Sequence, residues 1–438
     1  MFTAGAAEVD ITPPAGTWLI GCEGPSTGVH DPLMAHTLVL ESGADRFAFV
    51  SLDLCGLARE DSATLREAVA QAAGTDARHV LLLLTHNHSA PFSIPWSVTG
   101  WGRFRADDSA WLSGSWQRIS ETAARAAAHM APVRLSFSRA AVQVGMNRRL
   151  SRPQPDAEAV MEPNPDGAAV PWSDVIQVTG ADSAPLAVLF SHAAHPVMIH
   201  WASTLISADY PGYAGRRIRE RLGSGVMPLF AMGCGADSNA PWATGFERCQ
   251  QTGIDLGDAV AEACARAGAV DPPLTWFETS RLDLPLKPFE AEERLAGAIA
   301  QEQLAAQQSE KHFAQEAVLV RQDKLRVLRE GRAPASMPYD ISVLAFGQQL
   351  AVVALPHEVF AGYQLAIDRL SPFRNTVVWA YCNVTENYIP TDAEHSRGGY
   401  EITGGPLEYR YRTGPATGAE ALIVGRTAEM LARAYRAA

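Results

Sequence analysis

Cysteine is sparse in this chain and poorly spaced for chemistry. Cys22, Cys55, Cys234, Cys249, Cys264 and Cys382 form no CxxC pair, which argues against a disulfide framework or a cysteine metal cluster. Long hydrophobic runs are missing too, and none reaches transmembrane length. The opening, MFTAGAAEVDITPP, has neither a basic n-region nor an apolar h-region. A cytoplasmic protein without stable membrane association is therefore expected, although a leader already removed would leave the same opening. Basic charge is in deficit, with a formal net charge of −12 and a pI near 5.5. That balance argues against nucleic acid and anionic membrane surfaces as partners, and leaves a small-molecule substrate and homo-oligomerisation open. No internal repeat or clear linker divides the sequence.

What the chain does have is core-forming capacity. Its 438 residues are 47% hydrophobic, enough for one large domain or two closely packed ones. Apolar runs predict strands over 35–41, 46–54, 80–85, 174–179, 185–190, 227–232, 341–346, 350–355 and 376–382. Apolar residues three and four apart predict helices over 61–73, 107–129, 212–222, 252–267 and 417–436. The class is α/β, with mixed sheets flanked by helices. Residues 151–172 are Pro-rich and polar, an excursion over the surface. Residues 289–331 are charged and rich in Gln and Ala, which predicts one or two long helices serving as a lid, an arm or a peripheral hairpin.

Several strands end in polar clusters. VLLLLTHNHSAP (80–91) is an apolar run that stops at His86-Asn87-His88. Residues i and i+2 of an extended segment share a face, so both imidazoles could reach one point near a strand end, where α/β active sites lie. A structural histidine beside an exposed one is the competing reading. LAVLFSHAAHPVMIH (186–200) places His192, His195 and His200 beside a proline, of which one or two at most are ligand candidates. VMPLFAMGCGADSNAPW (226–242) runs into a Gly-rich turn with Asp237, a weak signal because such turns are common for backbone reasons. LAVVALPHEVFAGY (350–363) brings His357 and Glu358 to a helix start, where a carboxylate often only complements the dipole. YCNVTENYIPTDAEHSRGGYE (381–401) holds Tyr388 and Tyr400 in a turn-rich stretch.

In this order the segments resemble the catalytic domain of the neutral/alkaline non-lysosomal ceramidase family, as do AAEVDITPP, GVHDPL (28–33), VGMNRR (144–149) and LISADYPGYA (205–214). The resemblance spans roughly residues 4–401 and implies a single large domain, 1–438, of neutral-ceramidase type with 289–331 as a helical insertion. It implies Zn²⁺ held by His86, His195, Glu358 and Tyr388, with His88 and Tyr400 beside the scissile bond. Arg148 matches a substrate-pocket arginine, and Arg149 takes that place if the register slips. His192, His200 and His357 have no counterpart and read as supporting or structural.

The implied chemistry is a zinc-dependent amidohydrolase acting on a carboxamide by attack of metal-bound hydroxide. Two imidazoles and a carboxylate are a usual catalytic zinc set, and zinc brings bound water toward a pKa of about 7. Asp237 is a candidate to orient a ligand histidine from behind. Full-length ceramidases carry a signal peptide and a C-terminal immunoglobulin-like domain, neither evident here. Their Gly-Asp-x-Ser-Pro-Asn turn appears here as Gly235-Ala236-Asp237-Ser238-Asn239-Ala240, which disfavours a serine nucleophile. The turn SAPFSIPWSVTGWGRF is rich in Trp and Phe where ceramidases are Gly-rich, making Trp96 a candidate substrate contact. These departures favour a small soluble amide over long-chain ceramide. Ester, lactone or cyclic-amide hydrolysis by the same ligands is the alternative, and a closed structural metal the third reading.

Overall fold

The Val80–Leu84 strand is apolar at every position because it is covered on both faces. Successive side chains of a strand point to opposite sides. Leu81 and Leu83 therefore join one buried cluster, while Val80, Leu82 and Leu84 join another. The computed structural model describes residues 2–20, 22, 24–99, 109–151, 157–200, 202–240, 244–309 and 312–438. Among these, Val80–Leu84 is the edge of a nine-stranded mixed sheet. Across that sheet follow Asp45–Leu52, Met34–Ser42, Phe2–Asp10, Ala131–Ala140, Ser173–Gly180, Pro185–His192 and Met227–Met232, and Gly268–Val270 pairs with Ala131–Ala140. The two outermost pairings, Asp45–Leu52 with Val80–Leu84 and Pro185–His192 with Met227–Met232, are parallel.

A second sheet runs Leu274–Pro285, Ser336–Phe346, Leu350–Ala354, Asn375–Trp379, the last pair parallel. The two sheets pack face to face, Phe49 of the first lying edge-on to Trp379 of the second at 6.1 Å. Helices cover both outer faces. Leu65, Ile119, Ile218 and Leu256 pack on the large sheet, while Ile367, Ile423 and Met430 pack on the small one. Each such fully buried aliphatic side chain stabilises the fold by roughly 1.5–3 kcal/mol.

Loops at the strand ends knit the sheets together. The Asn383 N–H donates to Leu82 O at 2.8 Å, and Asn383 Oδ1 accepts from the Leu82 N–H at 2.9 Å. The Ala380 N–H donates to Met232 O at 2.9 Å. Chain ends of strands from both sheets thus converge on one region.

All nine expected strands and all five expected helices form, most within three residues of the expected bounds, while the 252–267 helix and the 341–346 strand begin six and five residues earlier, at Phe246 and Ser336. Residues 107 and 108 of the expected 107–129 helix lie outside the described residues. The 289–331 segment forms two helices, Glu292–Gln307 and His312–Arg329, packed through Leu295, Ile299 and Leu325. They connect two antiparallel neighbours, Leu274–Pro285 and Ser336–Phe346. Three long strands were not anticipated. Phe2–Asp10 is rich in Ala and Gly, residues of low strand preference. Gly5 is needed there because a Cβ would lie 2.0 Å from Ala126 O of the Ser109–Ala128 helix. Ala131–Ala140 alternates Val133, Leu135 and Phe137 inward with Arg134 and Ser136 outward, the period of a half-buried strand rather than the apolar run of a fully buried one. Leu274–Pro285 is polar because much of it is partly exposed. Among the described residues no helix is long and apolar enough to cross a membrane.

Candidate active site

His86 follows the Val80–Leu84 strand in a left-handed conformation, φ 60°, which turns its ring inward. Its Nδ1 lies 2.6 Å from the Cys55 carbonyl oxygen. A carbonyl only accepts, so Nδ1 carries the proton and Nε2 presents a lone pair. His195, beyond the Pro185–His192 strand, is pinned the same way by Gly235 O at 2.8 Å and Ser238 O at 3.2 Å. Both Nε2 atoms lie 3.2 Å from one oxygen, Glu358 Oε2. The three side chains are each 1% exposed, and their ligand atoms all fall within 4.8 Å of one another. Glu358 Oε1 accepts a 2.6 Å hydrogen bond from the Tyr409 hydroxyl.

Three lone pairs facing one another in a dry interior need a positive charge between them. Without an ion that charge is a proton. Burial is the strongest influence on His86 and opposes its ionisation, yet Cys55 and the Glu358 carboxylate outweigh it and hold the imidazole up to about 10. Burial alike resists ionisation of Glu358, and His86 and His195 hold it well below the usual carboxylate range. His195 is pushed down to about 4 by burial and then by Arg148. A divalent cation satisfies all three donors, and their nitrogen and oxygen chemistry suits zinc.

Around this centre lies a cavity of about 360 Å³. His88 Nε2 is 3.3 Å from His86 Nε2, and burial, followed by the His86 charge, pushes its imidazole far below the ordinary value. Glu358 and Tyr388 are partners on two short parallel strands. The Tyr388 hydroxyl is 3.5 Å from Arg148 Nη2. Arg148 also donates from Nε to Glu401 at 2.7 Å and from Nη1 to Asn239 at 3.0 Å. Tyr400, 37% exposed, has its hydroxyl 3.3 Å from each carboxylate oxygen of Glu408. An apolar wall includes Phe92, Ile94, Met161 and Phe313.

No protein-family model matches the sequence, and no curated protein matches it. Solved structures do match. One is the neutral ceramidase from Pseudomonas aeruginosa, 18% identical, with a TM-score of 0.73 over 99% of this chain and 75% of that one. The chain has a neutral ceramidase-like fold. Another, a ceramidase complexed with C2, is 17% identical with a TM-score of 0.72 and the same coverage. At these identities the likeness speaks for the fold, and the site residues rest on the geometry above.

Within this neutral ceramidase-like fold, His86, His88, His195, Glu358, Tyr388, Tyr400 and Arg148 are gathered at one place. Arg149 is not. Its Nε donates to Glu394 at 2.8 Å and Nη2 to Gly398 O at 2.6 Å, Nη1 pairs with Glu401, and its guanidinium lies over the Phe360 ring. Neighbours in an extended segment face opposite ways, so Arg148 lines the cavity and Arg149 turns from it. Asp237 does not touch a ligand histidine. Its carboxylate accepts from the Ala361 N–H at 2.8 Å and Asn147 Nδ2 at 3.2 Å, and burial pushes it up to about 7. The turn orients His195 through the carbonyls of Gly235 and Ser238 instead. The Trp96 side chain lies outside the described residues.

The remaining histidines divide. His192 Nε2 accepts the Val144 N–H at 3.2 Å, and His357 Nδ1 accepts the Glu386 N–H at 3.0 Å, so both serve the backbone. His200 lines the cavity, its ring 5.3 Å from that of His88. Sequence reasoning missed Glu408 and Tyr409 altogether. The available signal was GGPLEYRYRTG, an acid and two tyrosines between glycine turns just past Tyr400. It also missed Tyr381, whose ring lies 4.4 Å from that of His86.

Proposed function

We propose that this protein is a zinc-dependent hydrolase that cleaves the carboxamide bond of a small soluble N-acyl compound. The observation that carries the reading is the convergence of His86 Nε2, His195 Nε2 and Glu358 Oε2, with both imidazole tautomers fixed by backbone carbonyls. What zinc supplies when bound is Lewis acidity, which polarises an acyl oxygen and acidifies water near neutral pH. Tyr388, neighbouring Glu358 and facing Arg148, is the fourth residue proposed to hold it.

The other groups handle charge and protons. His88 stands with its Nε2 3.3 Å from His86 Nε2, placed to relay a proton to the departing nitrogen. The Tyr400 hydroxyl stays protonated, since burial and then Glu408 raise its pKa; it donates to Glu408 at rest and turns to the developing oxyanion when substrate is bound. Such a donor is worth roughly 3–4 kcal/mol. Arg148 already has its charge matched by Glu401, so it orients a neutral polar group of the substrate. The cavity, about 360 Å³, lies at the small end of the roughly 300–1,000 Å³ usual for ligand sites, which favours a short acyl group.

The test joins metal analysis to a released-amine screen over short N-acyl compounds, with matched esters and lactones alongside. About one zinc per chain and amine release that disappears in His195→Ala are expected. Turnover that survives His195→Ala, or faster release from esters than from every amide, overturns the reading.

A further inference from the structure

Among the described residues, Glu408 is the one acidic group of the cavity wall for which the proposed chemistry has no use. It ends the short turn Gly405–Glu408, which sits tightly on Tyr388. A Cβ on Gly405 would lie 2.5 Å from the Tyr388 ring, so only glycine permits this approach. The next residue, Tyr409, is fastened to Glu358. Arg412 ties the same loop down by donating to Tyr409 O at 2.9 Å and Thr99 O at 2.7 Å. Glu408 is thus held rigidly beside the reacting centre.

Burial pushes the Glu408 carboxyl up to about 8, so it ionises fully only beside a cation. The Tyr400 hydroxyl is its partner, 3.3 Å from both oxygens, and one O–H cannot fill a carboxylate's roughly four acceptor positions. Among the described residues no Lys, Arg or His pairs with Glu408. Arg148, the cavity's arginine, is already engaged by Glu401. Among the described residues the cavity therefore offers a carboxyl group with no free cation beside it, against an apolar wall of Phe92, Ile94, Met161 and Phe313.

We infer that Glu408 is a specificity-determining residue that receives a cationic ammonium group of the substrate. The preferred compound is then a short-chain N-acyl derivative of a diamine or similar basic amine, its acyl chain on the apolar wall. This rests on the hydrolase reading above but can fail separately from it.

Two amides differing only in that charge decide the matter: the hexanoic monoamide of 1,4-diaminobutane and N-butylhexanamide. Hydrolysis by the zinc-loaded protein and binding by calorimetry are measured for each. The wild type is expected to favour the charged amide by about tenfold or more in both readouts. Glu408→Gln is expected to bring the ratio near one, and Glu408→Asp to keep a reduced preference. Equal treatment of the two amides by the wild type overturns the inference, as does a preference that persists in Glu408→Gln. If neither amide is cleaved, the hydrolase reading falls, while a binding preference lost in Glu408→Gln still upholds the role of Glu408.

Discussion

The inner and outer halves of the cavity are built by different means. The inner half, His86, His195 and Glu358, comes from strand ends of both sheets, is 1% exposed, and takes its orientation from fixed carbonyls. Left-handed backbone at His86, His357, Tyr381 and Asn383 crowds this half, strain that the surrounding packing must hold in place. The outer half comes from the segments between: Tyr400 and Glu408 from the turns after Gly398, Met161 from the Pro-rich excursion, Phe313 from the inserted helices. Tyr400 and Met161 are 37% and 41% exposed. The proposed division is that strand ends carry the chemistry while the connecting segments choose the substrate. Substitutions at His86, His195 and Glu358 should abolish turnover without changing preference, and those at Glu408, Met161 and Phe313 should do the reverse.

The largest effect tests the inner half directly. Glu358→Gln removes the charge that both imidazoles face, and should lower kcat/KM roughly a thousandfold, the several kcal/mol that a metal contributes. Zinc content should fall with it while the circular dichroism spectrum holds. Full zinc occupancy in the variant would break the comparison. A second effect separates the ligand-type histidines from the structural ones. Burial pushes His192 down from 6.5 to about 4, so the folded state resists a proton that the unfolded chain accepts. Its contribution is intact above pH 6.5 and is lost as pH falls toward 4, at most roughly 3 kcal/mol. Urea unfolding across that range should show a shallower acid loss in His192→Gln, with turnover per folded molecule retained.

The same division explains what the sequence discloses. Strands buried on both faces, such as Val80–Leu84, announce themselves as apolar runs, and ligands placed just past such runs are conspicuous. His86, His195 and Glu358 each stand there. Arg148 and Arg149 show where such reading stops: the residues are alike and adjacent, and only the direction of an extended backbone separates cavity from interior. Asp237 shows another stop, since the orienting groups of its turn are carbonyls that every residue possesses. Tyr409 and Glu408 lie in a turn without periodicity, and their role depends on contacts with residues about fifty and eight positions away. Their local signal is only an acid and tyrosines between glycines, which says nothing of those distant contacts.

Tyr409 belongs to the outer loop but holds an inner carboxylate, so its replacement should be felt in the inner half. Tyr409→Phe leaves Glu358 Oε1 without its donor, and loss of such an orienting group typically lowers metal affinity or activity 10- to 100-fold. Zinc titration against a chelator should register this while the preference between charged and neutral amides stays. An unchanged zinc affinity would mean that Glu358 is positioned by the backbone alone.

The smallest effect concerns the helical insertion. Arg412 spans the gap, donating to the loop carbonyls of Tyr409 and Thr99 and, at 3.3 Å, to Asp323 on the His312–Arg329 helix. That helix brings Phe313 to the cavity wall. Asp323 is 36% exposed at its side chain, so the pair is screened and contributes about 1 kcal/mol or less. Asp323→Asn should therefore leave the melting temperature nearly unchanged and loosen the helix locally, seen as faster amide exchange over 312–329. KM for hexanoyl amides should rise about twofold with kcat held, if Phe313 belongs to the wall proposed to take the acyl chain. A fall in kcat with KM unchanged would instead place the insertion in control of the inner half, and the separation of the two halves would fail.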